Sequence, residues 1–417
     1  MALTQLFSDI AEAIRTKDGT AEPISAQEFP DRILAIPAQS AAPGEPLTPG
    51  EVYRATRPAD WLPMPEPTDD ELFLLVSIPA GGSALLAFTA TCTGDYTVSL
   101  GTVSGGVFVS QISTDVASGD CFETELSAFD YGNPSEGAAQ VLVKVSGTDI
   151  LTWEPAAHSR RTEPAGFHAW NVVEIRCRLP KATAVRPGGA AQTGALTALR
   201  YFAWEGGNQA TDFSGMFGYC TGLIAVKTLD TAQAVNMSGM FQCCRSLTAI
   251  PVLNTEKVSN TARMFQECSS LPAVPELDTR NVTNAASMFE GCGSLSAAPE
   301  LELPLLGSAA NMFYGCGSLL SVPRLGLTGS IRNLNSLFTG CACLGALRLD
   351  PAVSGWAGRP LSIEGCALGR EALLQLFRSL PVLTAAKSLT ITGNPGAGEL
   401  TEADTALAEE RNWTLVL

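Results

Sequence analysis

Histidine is nearly missing from this chain: two in 417 residues. A zinc site would need more ligands at metal spacing than His158 and His168 offer. No His-Glu-x-x-His, Gly-x-Ser-x-Gly elbow or phosphate loop occurs either. The chain therefore reads as not an enzyme, with no cofactor and no metal. Basic residues are also scarce, 26 Lys+Arg against 42 Asp+Glu, for a net charge of −16. Such a chain is repelled by nucleic acid and by anionic membrane surfaces. No apolar run reaches the ~20 residues of a membrane span, so no membrane insertion is expected. Met1 to Arg15 carries polar and acidic residues where a secretion signal needs an apolar stretch. No sorting tail follows Trp413–Leu417. These two absences give an expectation of assembly in the cytoplasm.

Disulfides are not expected, although twelve cysteines are present. Most of them belong to a repeat. Met-Phe recurs at Met216-Phe217, Met240-Phe241, Met264-Phe265, Met288-Phe289 and Met312-Phe313, a step of 24 residues (240 − 216), and Leu337-Phe338 follows at 25. Three residues after each Phe stands a cysteine: Cys220, Cys244, Cys268, Cys292, Cys316, Cys341. Three further on stands a leucine, from Leu223 to Leu344. A period of this length means a solenoid whose coils bury their apolar faces against one another. The cysteines read as small buried rungs with side chains too parallel to bridge. Cys243-Cys244 beside Arg245, and Cys341-Ala342-Cys343, read as a rung plus an extra surface cysteine.

Each coil has a local logic. Five residues before each Phe sit Asp212, Asn236, Asn260, Asn284, Ser308 and Asn333. These types accept from free amides at a helix N-terminus, so a short capped helical turn is expected there. Leu271-Pro272-Ala273-Val274 and its equivalents read as short parallel strands, with Pro251, Pro275, Pro299 and Pro323 closing them. Leu229, Leu253, Leu277, Leu301 and Leu325 turn back into the core. The row after the prolines, Thr228, Val252, Glu276, Glu300, Arg324 and Leu349, is the least uniform. It is expected to face solvent and is the candidate partner-binding strip, against the plainer reading of a solvated face.

The phrase Met-Phe-x-x-Cys-x-Ser-Leu…Pro-x-Leu-Asp-Thr…Val-Thr-Asn resembles the BspA-like leucine-rich-repeat surface proteins. Asp278-Thr279-Arg280-Asn281-Val282-Thr283-Asn284 is its best match. The resemblance implies a leucine-rich-repeat fold and a binding role. Glu302-Leu303 replaces Asp-Thr, and Arg348 and Asp350 break the Pro-x-Leu pattern, so irregular last coils are expected.

In chain order, residues 1–36 read as a helical attachment segment. Leu3, Phe7, Ile10 and Ile14 share one helix face, and Ser25-Ala26-Gln27-Glu28 has capping-box form. Ile10–Thr20 with Phe29–Ile36 resembles the N-termini of phage tail and tail-fibre-like proteins of gut clostridial prophages. Residues 37–50 are a Pro-rich linker by composition. Residues 51–182 carry strand-like runs at 71–78, 84–91, 96–101, 107–112, 121–126, 140–145 and 171–177, the pattern of a jelly-roll-like β-sandwich. A loop of this domain gathers Trp153, His158, Arg160, Arg161, His168 and Trp170. It is a candidate ligand loop, against the plainer reading of an inter-strand cover with Trp153 and Trp170 as core. Residues 183–198 connect. Residues 199–350 are the α/β leucine-rich-repeat solenoid, opened by a partial coil from Leu199 that caps its end. Residues 351–417 are an α/β cap: one more rung at Cys366, helices over 370–380 and about 401–411, strands over 388–392 and 413–417.

The expected function is a tail-fibre-like receptor-recognition protein of a phage or prophage. Its N-terminus would grip tail or baseplate subunits, and its sandwich and solenoid would recognise a host cell-surface glycan or protein. The expected location is then the virion tail, and an oligomer is left open. The competing expectations are a BspA-like adhesin on the bacterial cell surface and, more weakly, a cytosolic scaffold.

Overall fold

The computed structural model describes residues 48–78, 82–127, 139–156, 171–189, 195–327, 331, 333–349 and 359–417. Thr48–Leu417 forms one compact unit. The attachment segment, including Leu3, Phe7, Ile10 and Ile14, lies outside the described residues.

The unit begins with a sandwich. Its strands are β1 (Glu71–Ile78), β2 (Ser83–Thr91), β3 (Tyr96–Ser104), β4 (Val107–Val116), β5 (Cys121–Ser127), β6 (Ala139–Ser146), β7 (Thr152–Pro155), β8 (Val172–Arg178) and β9 (Ala184–Val185). One sheet runs β4-β3-β6-β1-β8, all antiparallel, and the other β5-β2-β7-β9. All seven strand-like runs form strands; β7 and β9 are too short to show as runs. Leu72, Leu74 and Val76 of β1 face between the sheets. Phe73 and Leu75 face outward yet are also buried, under Met64, Trp61 and Leu62. Burial on both faces explains why β1 reads as an unbroken apolar run.

The first sheet does not stop at β8. Strand β10 (Tyr201–Trp204) pairs parallel with it, Phe202 opposite Ile175 and Trp204 opposite Cys177, and β11 (Ala225–Val226) pairs parallel with β10. The solenoid therefore grows directly from the sandwich's edge, and one apolar core runs from Leu72 to Trp413. This corrects the expectation that a partial coil caps an open end. The coil from Leu199 is the first full partner of β8, whose unpaired amides and carbonyls supply the ladder that it needs.

The coils are stacked turns, not helix-and-strand units. Each carries two left-handed residues four apart: Gly215 and Tyr219, Gly239 and Cys243, Arg263 and Glu267, Ser287 and Gly291, Asn311 and Gly315, Ser336 and Gly340, with φ between 53° and 82°. A left-handed residue every fourth position prevents an α-helix. Amides alternate in their use. Phe217 and Tyr219 donate to Met240 and Gln242 in the next coil (2.8 and 2.7 Å), while Gly218 and Cys220 close turns onto Gly215 and Phe217 (2.8 and 3.0 Å). The Asn row does bond forward, as expected: Asn236, Asn260 and Asn284 accept from the amides of Ser238, Ala262 and Ala286 at 3.1, 3.1 and 3.2 Å. It caps tight turns, however, rather than helices. The same residues form parallel bridges from coil to coil.

The parallel ladder on the proline side is also interrupted. Strands occur at β10–β11 and again at β12 (Leu301–Leu303), β13 (Ser321–Leu327) and β14 (Ala346–Leu349). Between them, over 250–296, none forms among the described residues. Pro251, Pro272 and Pro275 have no amide to donate there. Asp230, Asn254 and Asp278 accept from the amides two residues on, at 3.0–3.1 Å, and so end the extended run. In the next coil the residue two on is Pro304, which has no amide to donate, and Glu302 lies inside β12. The later coils thus carry more strand than the central ones, against expectation. Pro323 does not close its strand; it lies inside β13 at a register shift.

The cap is close to its expected form. It comprises β15 (Leu361–Ser362), α-helix Arg370–Ser379, β16 (Lys387–Thr390), α-helix Glu402–Glu409 and β17 (Trp413–Val416), with the three strands parallel. Thr401 and Asp404 form the capping box. One further helix, Pro49–Thr56, starts the unit with Thr48 and Glu51 as its capping box, so regular structure begins inside the stretch read as linker.

Candidate recognition surface

A core that repeats every coil leaves only the outer rows free to differ. Phe217, Phe241, Phe265, Phe289, Phe313 and Phe338 stack face to face, centroids 5.3–5.7 Å apart and planes within 5–10°. Beside them the cysteine rungs are fully buried, and none of the twelve cysteines is in a disulfide. Each thiol from Cys244 to Cys341 donates to the carbonyl of the Phe one coil back, at 3.0–3.1 Å. The rung is thus a polar tie as well as a spacer. Burial holds the thiols protonated, with Cys220 and Cys366 pushed up to about 12 and the rungs between them also raised.

The candidate strip is shorter than its sequence row. Val252 is 78% exposed, more than any other large apolar side chain described. Glu276 and Glu300 are exposed beside it. Thr228 is half-buried, and its hydroxyl makes no hydrogen bond. The Arg324 side chain is outside the described set. Leu349 is buried rather than solvent-facing. The register shift in β13 pairs it with Leu325 of the buried row. In that coil the strand reaches the core one residue sooner, two residues after Leu347 instead of three after Val322. The surviving strip is Val252, Glu276 and Glu300, each directly after a proline. Prolines hold φ near −65°, so these side chains leave a stiff backbone.

In the candidate ligand loop only Trp153 is described. It is buried, its ring tilted against Phe88 (centroids 5.8 Å). That agrees with core and gives it no access to a ligand. His158, Arg160, Arg161, His168 and Trp170 lie outside the described residues. Asn171, just after them, lines a hollow of about 360 Å³ with Ser77, Thr197 and the exposed Arg200.

A cluster of ionisable groups on β8 carries no functional motif in the sequence. Glu174 is fully buried on the outer face of β8. It accepts from Tyr53 at 2.5 Å and Arg57 at 2.8 Å, with Arg176 at 3.4 Å. Burial, then the Glu174 charge, pushes the Tyr53 hydroxyl up to about 12. These bonds clamp helix Pro49–Thr56 to β8 across the sandwich–solenoid seam. Glu-x-Arg on a strand is the sequence signal; it looks like a solvated face until the helix covers it. No group of three or more metal-binding side chains occurs among the described residues.

Compared with known proteins, residues 203–302 match the family described as "Mycoplasma protein of unknown function, DUF285". The match begins in β10 and ends in β12, so it covers the first coils and not the sandwich. No curated protein matches the chain.

Proposed function

We propose that the chain is a non-enzymatic binding protein that presents its solenoid to a cell-surface glycan or protein. One observation carries this reading: Val252, Glu276 and Glu300 vary and are exposed on coils whose core rows of Phe, Cys and Leu are constant and buried. A strip on a stiff ladder loses little ordering entropy when it binds. The match of 203–302 to a repeat family is compatible with a BspA-like surface protein. A net charge of −16 disfavours nucleic acid and anionic lipid as targets. The test is a triple variant, Val252→Lys, Glu276→Arg and Glu300→Arg, in a cell-binding assay with an unchanged melting temperature as control. Binding should fall at least about tenfold, as expected when central contacts are reversed in charge. Undiminished binding would sink the strip as the recognition site.

A second reading concerns placement. The apolar stripe Leu3, Phe7, Ile10 and Ile14 sits on a segment too short to fold alone, which favours docking to a tail or baseplate subunit and a virion-tail location. Placement on the bacterial cell surface is the alternative. Deleting residues 1–47, which spares the Thr48 cap, and measuring particle incorporation separates the two.

A further inference from the structure

Strand β4 is the edge of the seven-stranded sheet, and nothing in the described chain covers it. It is ten residues long and mostly exposed on both faces, with Val107 at 66%, Val109 at 44% and Ile112 at 55%. Edge strands are usually guarded by lysine, proline or inward charge. β4 has no lysine and no proline; its one charge, Asp115, is bonded to Thr97 at 2.7 Å. In a chain of net charge −16 it is a nearly neutral, apolar, open edge.

Its irregularity indicates the partner. Opposite β3 the register steps from Leu100↔Ile112 to Gly101↔Ser110, so Gln111 is an extra residue. β3 accommodates the step through Gly101, where a Cβ would come within 2.0 Å of the Val109 carbonyl oxygen. The bulge shifts the alternation of faces. Phe108 packs outward near Phe73, so Val107 and Val109 point to the other face. Beyond the bulge, Ile112, Thr114 and Val116 occupy that same face, lining a hollow of about 470 Å³ against Phe122 and Leu126. A regular strand laid on this edge would lose register with the apolar face at Gln111. A strand with the same extra residue, running antiparallel, would not.

We propose that β4 docks a second copy of this chain, β4 against β4, about a two-fold axis between Ser110 and Gln111. In that register Val109 faces the partner's Ile112, Val107 its Thr114 and Phe108 its Ser113. Every apolar side chain meets the matching face, and Asp115 falls opposite the turn glycine Gly106, not another carboxylate. The two seven-stranded sheets become one continuous sheet. A strand pair of this length buries on the order of 1,000 Å², the low end for a specific interface, so a concentration-dependent dimer is expected.

The experiment uses the full chain. Sedimentation velocity across micromolar concentrations should show a monomer–dimer equilibrium. Hydrogen exchange of the Val107–Val116 amides should slow about tenfold or more as the dimer fills. Val109→Lys with Ile112→Lys should give a monomer with an unchanged melting curve; Val252→Lys, on another face, should still dimerise. Should the double variant fold poorly, the concentration dependence of β4 exchange in the unaltered chain decides. A chain that stays monomeric, β4 exchange that ignores concentration, or a folded double variant that still dimerises overturns the proposal. So does slowing of β4 exchange only when a different protein is added, which would assign the edge to a foreign strand.

Discussion

At the scale of single residues, backbone handedness decides more than side-chain chemistry. Seven of the twelve left-handed coil positions are not glycine: Tyr219, Cys243, Arg263, Glu267, Ser287, Asn311 and Ser336. Each carries a steric cost that the inter-coil hydrogen bonds offset. Gly315 stands at such a position, φ 73°, whereas Gly317 does not and has open space around its Cα. Gly315→Ala should therefore destabilise by about 1–2 kcal/mol. Gly317→Ala should be neutral or stabilising by up to about 1 kcal/mol, through a less flexible unfolded chain. Urea unfolding of the two variants checks the contrast; equal effects would contradict the turn geometry.

At the scale of the element, the cysteine ladder makes stability depend on pH in one direction. Burial pushes the folded thiols of Cys220 and Cys366 up to about 12 from their ordinary value of 9. Below that ordinary value both folded and unfolded chains keep the proton, and stability is unaffected. Above it the unfolded chain releases protons that the folded chain retains, so unfolding gains. Stability should fall by about 1.4 kcal/mol per pH unit for each rung that stays protonated. Urea midpoints should hold from neutral pH to near 9 and then drop steeply. Cys268→Ala should blunt the alkaline slope while lowering stability at neutral pH. A flat alkaline profile would mean that the rungs are not protected by burial.

At the scale of the whole molecule, sandwich and solenoid share one core. The Ile175–Phe202 and Cys177–Trp204 pairs place the first coil's largest side chains on the sandwich's own core. Cutting before Leu199 would bare β8's edge and that core together. A fragment of residues 48–198 should thus aggregate or lack a cooperative melt, while 48–417 should fold and stay soluble. Expression of both, followed by calorimetry, is the check; a sharp transition in 48–198 would show that the seam is dispensable. The Glu174 clamp supports the same prediction, because Tyr53 and Arg57 tie the first helix to β8 beside the β10 residue Tyr201.

The repeat, its buried rows, the sandwich strands and the cap could be read from residue order because each rests on local periodicity. Met-Phe every 24 residues can only be satisfied by stacking, and Thr401 with Asp404 announces a helix start wherever the chain sits. The conformation inside the coil could not be read so. Asn236, Asn260 and Asn284 favour a helix cap and a tight turn alike, and only hydrogen bonds from the next coil select the turn. Leu349 counts as an exposed position by spacing, yet pairing with Leu325 buries it. Glu174 looks solvated on its strand, and a helix more than a hundred residues earlier encloses it. The fusion of sandwich to solenoid rests on β8 having a free edge, a property of strand order in space that no single segment encodes.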